Sequence, residues 1–492
     1  MLMRASVSYF LSRGFLLFSL ALTCCSCAAG PSSPVTLSVD QTAAGQSIPD
    51  DFSGLSYETK QLLRSNGEHY FTPENQKLIA TFITLGIKNL RVGGNSADTP
   101  DVPYPEPKDI DDLFAFARTV DIKVIYNLRL RGQTDPTTDV EIAHYIMARY
   151  AASLLYFTIG NEPNVYLKQY PAYRAMLVKF ITAIHAVEPD ALFCGPSSTP
   201  SHVAWANNLA NDMGEYPYFR FITQHSYPGG SARAVKDPAV GRDEMLSQKW
   251  VDEYQKFYDA FVPTVQKRGL VYRLEECNSF FHGGLKGASN TMASALWGLD
   301  FMHWWAAHGC EGINFHTGDT VAAADRQTAA QYAVFVSAPG GYDVRPLGYA
   351  MKAFDLGGHG RSFPVKIDSP DKLNLTAYAV APDGMNLFIT IINKEHVSDV
   401  QTSGGQKTPP RNASVTIASG GPYRHAEVQY LSEHGSHGDV SATTGVTLGG
   451  ATFGQDASWN GAWTNLGERD WPDNFTVDVP AATAAVVHLS RE

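Results

Sequence analysis

The sequence predicts an α/β fold, a (β/α)8 TIM barrel followed by a C-terminal β-sandwich that also takes up an N-terminal strand. Three observations predict it. Apolar runs of strand character alternate eight times with segments of helical spacing. Polar residues gather at the C-terminal end of these runs. Past about residue 360 the helical spacing stops, and short strands follow one another closely.

The barrel is predicted over residues 49–358. A doubly wound open sheet would also alternate, but it would normally show a glycine-rich phosphate loop after its first strand, and this sequence has none there. The alternation therefore favours the barrel. The eight runs are FSGLSYE (52–58), IKNLRVGG (87–94), KVIYNLRL (123–130), LLYFTIGNEP (154–163), LFCGPSS (192–198), FITQHSY (221–227), VYRLEECNS (271–279) and EGINFHT (311–317).

The sandwich is predicted over residues 359–492, where runs such as NLFITIIN and TAAVVHL are separated by Gly, Ser, Asn and Pro. One further strand, VTLSVD, lies in the segment 29–48, ahead of the barrel. It has no partner among the eight barrel runs. We therefore expect it to join the sandwich.

The first 28 residues have the features of a secretory signal peptide. Arg4 and Arg13 precede the apolar run FLLFSLAL, which is too short to span a membrane, and small residues follow. We expect a secreted or periplasmic protein. A lipoprotein anchor on the cysteine cluster is the alternative, but no cysteine there follows the usual Leu-x-(Gly/Ala/Ser).

Composition excludes several classes of function. The net charge of −11 and the lack of any basic run argue against nucleic-acid binding. The cysteines beyond the signal peptide, Cys194, Cys277 and Cys310, form neither a disulfide framework nor a zinc motif. We expect no metal, no cofactor and no membrane span, and we expect a monomer.

Two of the predicted barrel strands, which face each other across the barrel, each end in a glutamate. Glu162 closes the fourth run and Glu276 the seventh, so both are expected at the mouth of the barrel. Glycoside hydrolysis requires two such carboxyl groups, about 5–5.5 Å apart when the anomeric configuration is retained. Glu162 and Glu276 are therefore the expected catalytic pair, one as acid/base and the other as nucleophile.

Neighbouring residues suit these roles. Asn161 would hydrogen-bond a sugar 2-OH, Tyr227 would hold the nucleophile through its hydroxyl, and Arg91 would keep that carboxylate ionised. Because strand side chains alternate, only one of the glutamates in LEECNS is expected to point inward. Glu276 shares its face with Leu274 and Tyr272, which suit a barrel interior, whereas Glu275 is expected to pair with Arg273.

These motifs resemble glycoside hydrolase family 79, the β-glucuronidase and heparanase group within the clan A retaining glycosidases. IGNEPN is similar to the acid/base motif and EECNS to the nucleophile motif, which implies Glu162 as acid/base and Glu276 as nucleophile. The resemblance extends over nearly the whole chain after the signal peptide. It implies sugar contacts from Glu58 in GLSYE, Asn95 in RVGGN and Tyr227 in HSY.

The resemblance also implies a glucuronate substrate, whose carboxylate is held by backbone N–H groups after the nucleophile and by a tyrosine. Gly283 and Gly284 would supply the backbone, and Tyr332 the hydroxyl. Bacterial relatives tend to have Tyr just after the nucleophile motif, where this chain has Phe280 and Phe281. Lys286 is a candidate replacement for the lost hydroxyl.

The expected activity is retaining hydrolysis of terminal β-linked glucuronic acid. The alternatives are another clan A retaining glycosidase, such as a β-glucosidase, an arabinofuranosidase or an endo-acting heparanase-like enzyme, and an inactive sugar-binding protein. A metal-dependent hydrolase is less favoured, because no spacing pairs His225, His282 and His316 as ligands.

Overall fold

The computed structural model describes residues 32–65, 67–318, 329–398, 409–434, 438–469 and 474–491. The predicted signal peptide, residues 1–28, lies outside this part of the chain. Across the described ranges, no helix combines the length and the apolar character needed to cross a membrane. Two strands, β1 (Ser32–Val39) and β2 (Ser47–Ile48), precede the barrel.

Eight parallel strands close into a barrel, and each of the eight predicted runs forms one of them. Parallel strands covered by helices are buried on both faces, which is why the runs are almost continuously apolar. β10 pairs with β3 and β9, so the sheet has no open edge. The strands are β3 (Ser53–Glu58), β4 (Asn89–Gly93), β5 (Lys123–Leu128), β6 (Leu154–Ile159), β7 (Phe193–Ser198), β8 (Phe219–Ser226), β9 (Val271–Cys277) and β10 (Ile313–His316).

Helices cover the barrel. Nearly all of them bury one face, but α9 is buried on all sides from Met292 to Ala306 because it lies between the barrel and the sandwich. The α-helices are α1 (Gln76–Thr84), α2 (Pro107–Val120), α3 (Thr137–Tyr150), α4 (Asn164–Leu167), α5 (Tyr170–Val187), α6 (Ala204–Met213), α7 (Pro238–Met245), α8 (Gln248–Lys267), α9 (Met292–Ala307) and α10 (Pro346–Gly357).

The remaining strands form a short hairpin and the sandwich. β11 pairs with β12. One sandwich sheet has the order β14-β1-β17-β21, and the other has the order β19-β18-β22-β16-β15-β13-β2, with β20 beside β18. These strands are β11 (Phe335–Ala338), β12 (Gly341–Val344), β13 (Gly360–Phe363), β14 (Val365–Asp368), β15 (Leu375–Ala381), β16 (Asn386–Asn393), β17 (Asn412–Ala418), β18 (His425–Glu433), β19 (Val446–Leu448), β20 (Thr464–Glu468), β21 (Phe475–Val479) and β22 (Thr483–Ser490).

The N-terminal strand is part of the sandwich. β1 pairs in parallel with β17 and antiparallel with β14. Its side chains alternate between exposed and buried, and Val35, Leu37 and Val39 enter the core between the two sheets. The expected position of VTLSVD in the sandwich is confirmed.

A buried ion pair joins the sandwich to the barrel. Asp300 on α9 accepts hydrogen bonds from Lys394 at 3.0 Å and from Thr376 and Tyr378, both at 2.7 Å. Asp300 is 3% exposed and Lys394 is 1% exposed. Because every polar group of this cluster has a partner, the cluster fixes how β15 and β16 sit on α9.

Lys394→Met should lower the free energy of unfolding by about 3–5 kcal/mol, because it leaves the buried Asp300 carboxylate without its cation. Asp300→Asn combined with Lys394→Met should recover part of that loss. The measurement is urea unfolding followed by tryptophan fluorescence. Lys256→Met, which removes an exposed lysine from α8, is the control and should leave the unfolding midpoint unchanged. An unchanged midpoint in Lys394→Met would contradict the role given to the pair.

Candidate active site

A pocket of about 860 Å³ opens at the mouth of the barrel, where the strands end. Its volume is within the range of small-molecule sites. Arg91 and Asn161 lie beneath its surface, fully or almost fully buried. Seven of the predicted site residues line it, namely Glu58, Asn95, Glu162, Tyr227, Glu276, Gly283 and Tyr332.

Both oxygens of the Glu276 carboxylate are held in place. Arg91 Nη1 donates to Oε2 at 2.7 Å, and the Tyr227 hydroxyl donates to Oε1 at 2.8 Å. Burial alone would raise the pKa of Glu276. The charges of His225, His316 and Arg91, with the hydroxyl of Tyr227, instead hold that pKa well below its ordinary value. Glu276 is therefore an ionised carboxylate aimed into the pocket.

Glu162 faces Glu276 across the pocket. One carboxylate oxygen of each residue and a ring nitrogen of His225 all lie within 4.8 Å of one another. Glu162 has a φ of 46°, which is uncommon for a residue other than glycine, and its N–H donates to the Ser197 carbonyl at 3.0 Å. His225 Nδ1 lies 3.0 Å from Glu162 Oε1. Backbone and side chain of Glu162 are thus both fixed.

Asn161 is tied to the same centre. Its Oδ1 accepts from Arg91 Nη2 at 2.7 Å, and its N–H donates to Asp98 Oδ2 at 2.7 Å. The Asn161 amide nitrogen lies 3.4 Å from Asn95 Oδ1 at the edge of the pocket. The Asn161 NH2 group therefore lies next to Asn95, which lines the pocket.

Glu58 ends β3, and its carboxylate lies against the turn that follows β4. Its Oε2 accepts from the Ser96 N–H at 2.7 Å, and its Oε1 lies 3.8 Å from His316 Nε2. A Cβ on Gly94, which has a φ of 67°, would approach the Glu58 carboxyl to 2.7 Å. Glycine is required there so that the carboxylate can lie against the turn.

The face assignment expected for β9 is wrong. Tyr272 points outward and packs on Phe261 of α8 and Trp305 of α9, with ring centroids 5.6 and 6.0 Å apart. Arg273 does not pair with Glu275. It binds Asp51, with Nη1 3.2 Å from Oδ2.

A β-bulge explains the difference. Thr223 on β8 pairs with Arg273 on β9, and His225, two residues later, pairs with Glu276, three residues later. β9 therefore has one extra residue at this point. The pairing with β10 shows the same extra residue. Because the bulge breaks the alternation, Glu275 and Glu276 both turn into the barrel. Only Glu276 lines the pocket; Glu275 lies deeper and is fully buried.

The loop after β9 brings Gly283 to the pocket. Gly283 has a φ of 83°, and no atom lies within 4 Å of a Cβ built on it. Gly284 lies outside the lining, where a Cβ would approach the Tyr332 nitrogen to 2.8 Å. Tyr332 is buried with its hydroxyl beside the Gly283 backbone.

The two phenylalanines of this loop occupy different places. Phe280 is fully buried and packs on Trp250, with ring centroids 5.4 Å apart. Phe281 lines the pocket, edge-on to Tyr227 at 6.0 Å. Lys286 is exposed and lies outside the pocket lining. Of the two phenylalanines, Phe281 is therefore the one at the pocket wall.

A cation has one candidate site among the described residues, formed by Glu162, His225 and Glu276. The ligand atoms there already have partners. Arg91 and Tyr227 hold both oxygens of Glu276, and His225 Nδ1 contacts Glu162. A metal ion would also meet the positive charge of Arg91. The arrangement favours acid–base and nucleophilic chemistry over metal chemistry.

Sequence reasoning missed two parts of the site. His225 bridges the two glutamates, and the signal was present, because it lies two residues before Tyr227 and so on the same strand face. The wall beyond Glu162 was also missed. Asn164 donates to Thr199 Oγ1 at 2.9 Å and lies 3.2 Å from His202 Nδ1, which joins α4 to the segment after β7. No motif marks that wall.

Solved structures share this fold over almost the whole chain. A 4-O-α-L-rhamnosyl-β-D-glucuronidase from Fusarium oxysporum 12S superposes with a TM-score of 0.66 at 18% identity, covering 93% of this chain and 99% of that one. A family 51 arabinofuranosidase from Xanthomonas axonopodis pv. citri gives a TM-score of 0.65 at 14% identity, covering 93% and 100%. Such low identities establish the fold alone.

Sequence comparison identifies the C-terminal domain. No curated protein matches the chain. Residues 377–486 match the model of the glycosyl hydrolase family 79 C-terminal beta domain. This match, together with a barrel-and-sandwich fold shared with solved glycosidases, confirms the resemblance of the chain to glycoside hydrolase family 79.

Proposed function

We propose that this protein is a retaining β-glucuronidase-like glycoside hydrolase that releases terminal β-linked glucuronic acid by double displacement. One observation carries the proposal. An ionised Glu276, held by Arg91 and Tyr227, lies with a carboxylate oxygen within 4.8 Å of one on Glu162. That spacing agrees with the roughly 5–5.5 Å of retaining enzymes and leaves too little room for the water of an inverting one.

Each carboxyl group has a defined role in the reaction. Glu276 attacks the anomeric carbon while the Glu162 carboxyl group protonates the aglycone oxygen, so the glycosidic C–O bond breaks as the sugar–Glu276 ester forms. Glu162 then takes a proton from water, and that water displaces Glu276 from the sugar. The proposal gives the Asn161 NH2 group, which lies next to the pocket-lining Asn95, the contact with a sugar 2-OH that strengthens in the transition state.

Gly283 and Tyr332 support a uronate at the reacting position. Burial raises the pKa of Tyr332, so its hydroxyl stays protonated and able to donate to a carboxylate. The Gly283 backbone beside it has no side chain to keep a substrate away. The glucuronidase activity of the Fusarium neighbour agrees with this substrate. Gly284 would assist carboxylate binding indirectly, because its missing side chain lets the loop pack close to the Tyr332 backbone.

The proposal includes an exported, monomeric enzyme that acts on a carbohydrate without a cofactor. The N-terminal signal-peptide pattern supports secretion or a periplasmic location. The carbohydrate is a β-glucuronide or a glucuronate-bearing oligosaccharide.

The first test compares initial rates on p-nitrophenyl β-D-glucuronide and on the matching β-D-glucoside and α-L-arabinofuranoside. We expect the glucuronide to be preferred and Glu276→Gln to lose at least about 10⁴-fold in kcat, because the nucleophile is gone. Glu311→Gln, a carboxyl-to-amide change at the other end of the barrel, is the matched control and should keep the rate. Proton NMR should show the β-anomer as first product; the α-anomer would contradict retention.

Tyr227→Phe should lower kcat/KM by roughly 10- to 100-fold, the cost of one hydrogen bond to a charged group. The Tyr227 hydroxyl helps to lower the pKa of Glu276, so its loss raises that pKa and moves the acid limb of the kcat/KM profile to higher pH. The measurement is a pH–rate profile. Tyr156→Phe is the control, because the buried Tyr156 hydroxyl has no hydrogen-bond partner. An unmoved acid limb in Tyr227→Phe would count against this role.

Tyr332→Phe should lower the ratio of glucuronide to glucoside kcat/KM by roughly 10- to 100-fold, since only the glucuronide loses a hydrogen bond to its carboxylate. The ratio is measured on the two p-nitrophenyl substrates. Equal losses on both sugars would mean that Tyr332 does not recognise the carboxylate.

A further inference from the structure

The mechanism leaves one carboxyl group unused, that of Glu275. It is fully buried beneath the two pocket glutamates and does not line the pocket, so it cannot touch a sugar. Thr158 donates to its Oε2 at 2.9 Å, and the Ser197 hydroxyl donates to its Oε1. A buried carboxyl group is costly unless such donors satisfy it. With its donors in place, the Glu275 carboxyl group is able to hold the groups around it.

One connection runs from Glu275 to the backbone of Glu162. The Ser197 hydroxyl has a single proton, which it gives to Glu275, so its contact with Thr223 at 3.0 Å is donated by Thr223. The carbonyl of Ser197 accepts the N–H of Glu162 at 3.0 Å. Both Ser197 and Glu162 have positive φ, 53° and 46°. Glu275 therefore holds Ser197, and the Ser197 carbonyl holds the backbone N–H of Glu162 in its uncommon conformation.

A second connection runs to the side chain of Glu162. His225 is fully buried, with Nδ1 3.0 Å from Glu162 Oε1 and Nε2 4.0 Å from Glu275 Oε1. Nε2 has no hydrogen-bond partner, so the carboxyl group of Glu275 is the negative group that it faces. Burial would lower the pKa of His225, but Glu276 and Glu162 raise it above its usual value. The imidazolium then lies between Glu275 and Glu162.

We propose that Glu275 is a positioning residue for the acid/base Glu162, which it orients through Ser197 on the backbone side and through His225 on the side-chain side. The inference rests on the proposed function, because it takes Glu162 as the group that protonates the aglycone. Both connections begin at Oε1 of Glu275, which accepts from Ser197 and faces His225. Glu275→Gln removes the negative charge that faces His225, and it leaves one acceptor oxygen for two hydroxyl donors, Ser197 and Thr158. Glu162 then delivers its proton less well, while the nucleophile keeps Arg91 and Tyr227.

The test measures kcat/KM on aryl β-glycosides whose leaving groups range from 2,4-dinitrophenol to phenol. A good leaving group needs no proton from Glu162, whereas a poor one does. Glu275→Gln should lose roughly 100-fold on the phenyl glycoside, within the range of general acid catalysis, and less than about threefold on the dinitrophenyl glycoside. Ser197→Ala, which breaks one connection, should change the rates in the same direction by less. Asp51→Asn, at the opposite end of the barrel interior, should keep the wild-type dependence.

A double-mutant comparison separates positioning from general damage. In a Glu162→Gln background, adding Glu275→Gln should cost no further rate on the phenyl glycoside. Equal losses across all leaving groups, or a full further loss in that background, would overturn the inference. If the wild type cleaves only another sugar, the glucuronidase proposal fails and the same panel on that sugar still decides the role of Glu275. If no aryl glycoside is cleaved, both proposals fall.

Discussion

The buried guanidinium of Arg91 is the constraint on which the rest of the site depends. A charge with no solvent exposure must be matched by partners, or the fold loses several kcal/mol. Arg91 takes these partners from neighbouring parts of the barrel: Ser56 on β3, Asn127 on β5, Asn161 after β6 and Glu276 on β9. One side chain thus sets the relative positions of Glu276 and of the segment that carries Glu162.

The electrostatics of the mouth follow from that arrangement. Three carboxyl groups, of Glu162, Glu275 and Glu276, converge on a small volume in which Arg91 and His225 supply the positive charge. Coulomb interactions are strong there because little water screens them. The charges around Glu276 keep it ionised, while Glu162 lies at the pocket surface with part of its side chain exposed. Different environments thereby give two glutamates different chemistry.

The sequence predicted those features that depend on a local pattern of apolar and polar residues. The eight runs, the strands of the sandwich and the extra strand β1 follow from local apolar patterns. The pair Glu162 and Glu276 follows from polar residues placed where buried strands end. Arg91 and Tyr227 contact Glu276 as expected, since strand order in a barrel predicts which strand ends converge. Their catalytic roles remain proposals for the experiments.

The sequence by itself therefore determined the fold class and the residues that could carry the chemistry, because burial and strand order leave a periodic record along the chain. Only the tertiary structure decided how Glu275 and Glu276 divide their tasks. A bulge is an extra residue relative to the neighbouring strands, so it cannot be recognised from the sequence of one strand alone. The same holds for Phe281 rather than Phe280 at the pocket, since this placement depends on packing against segments that are remote in sequence.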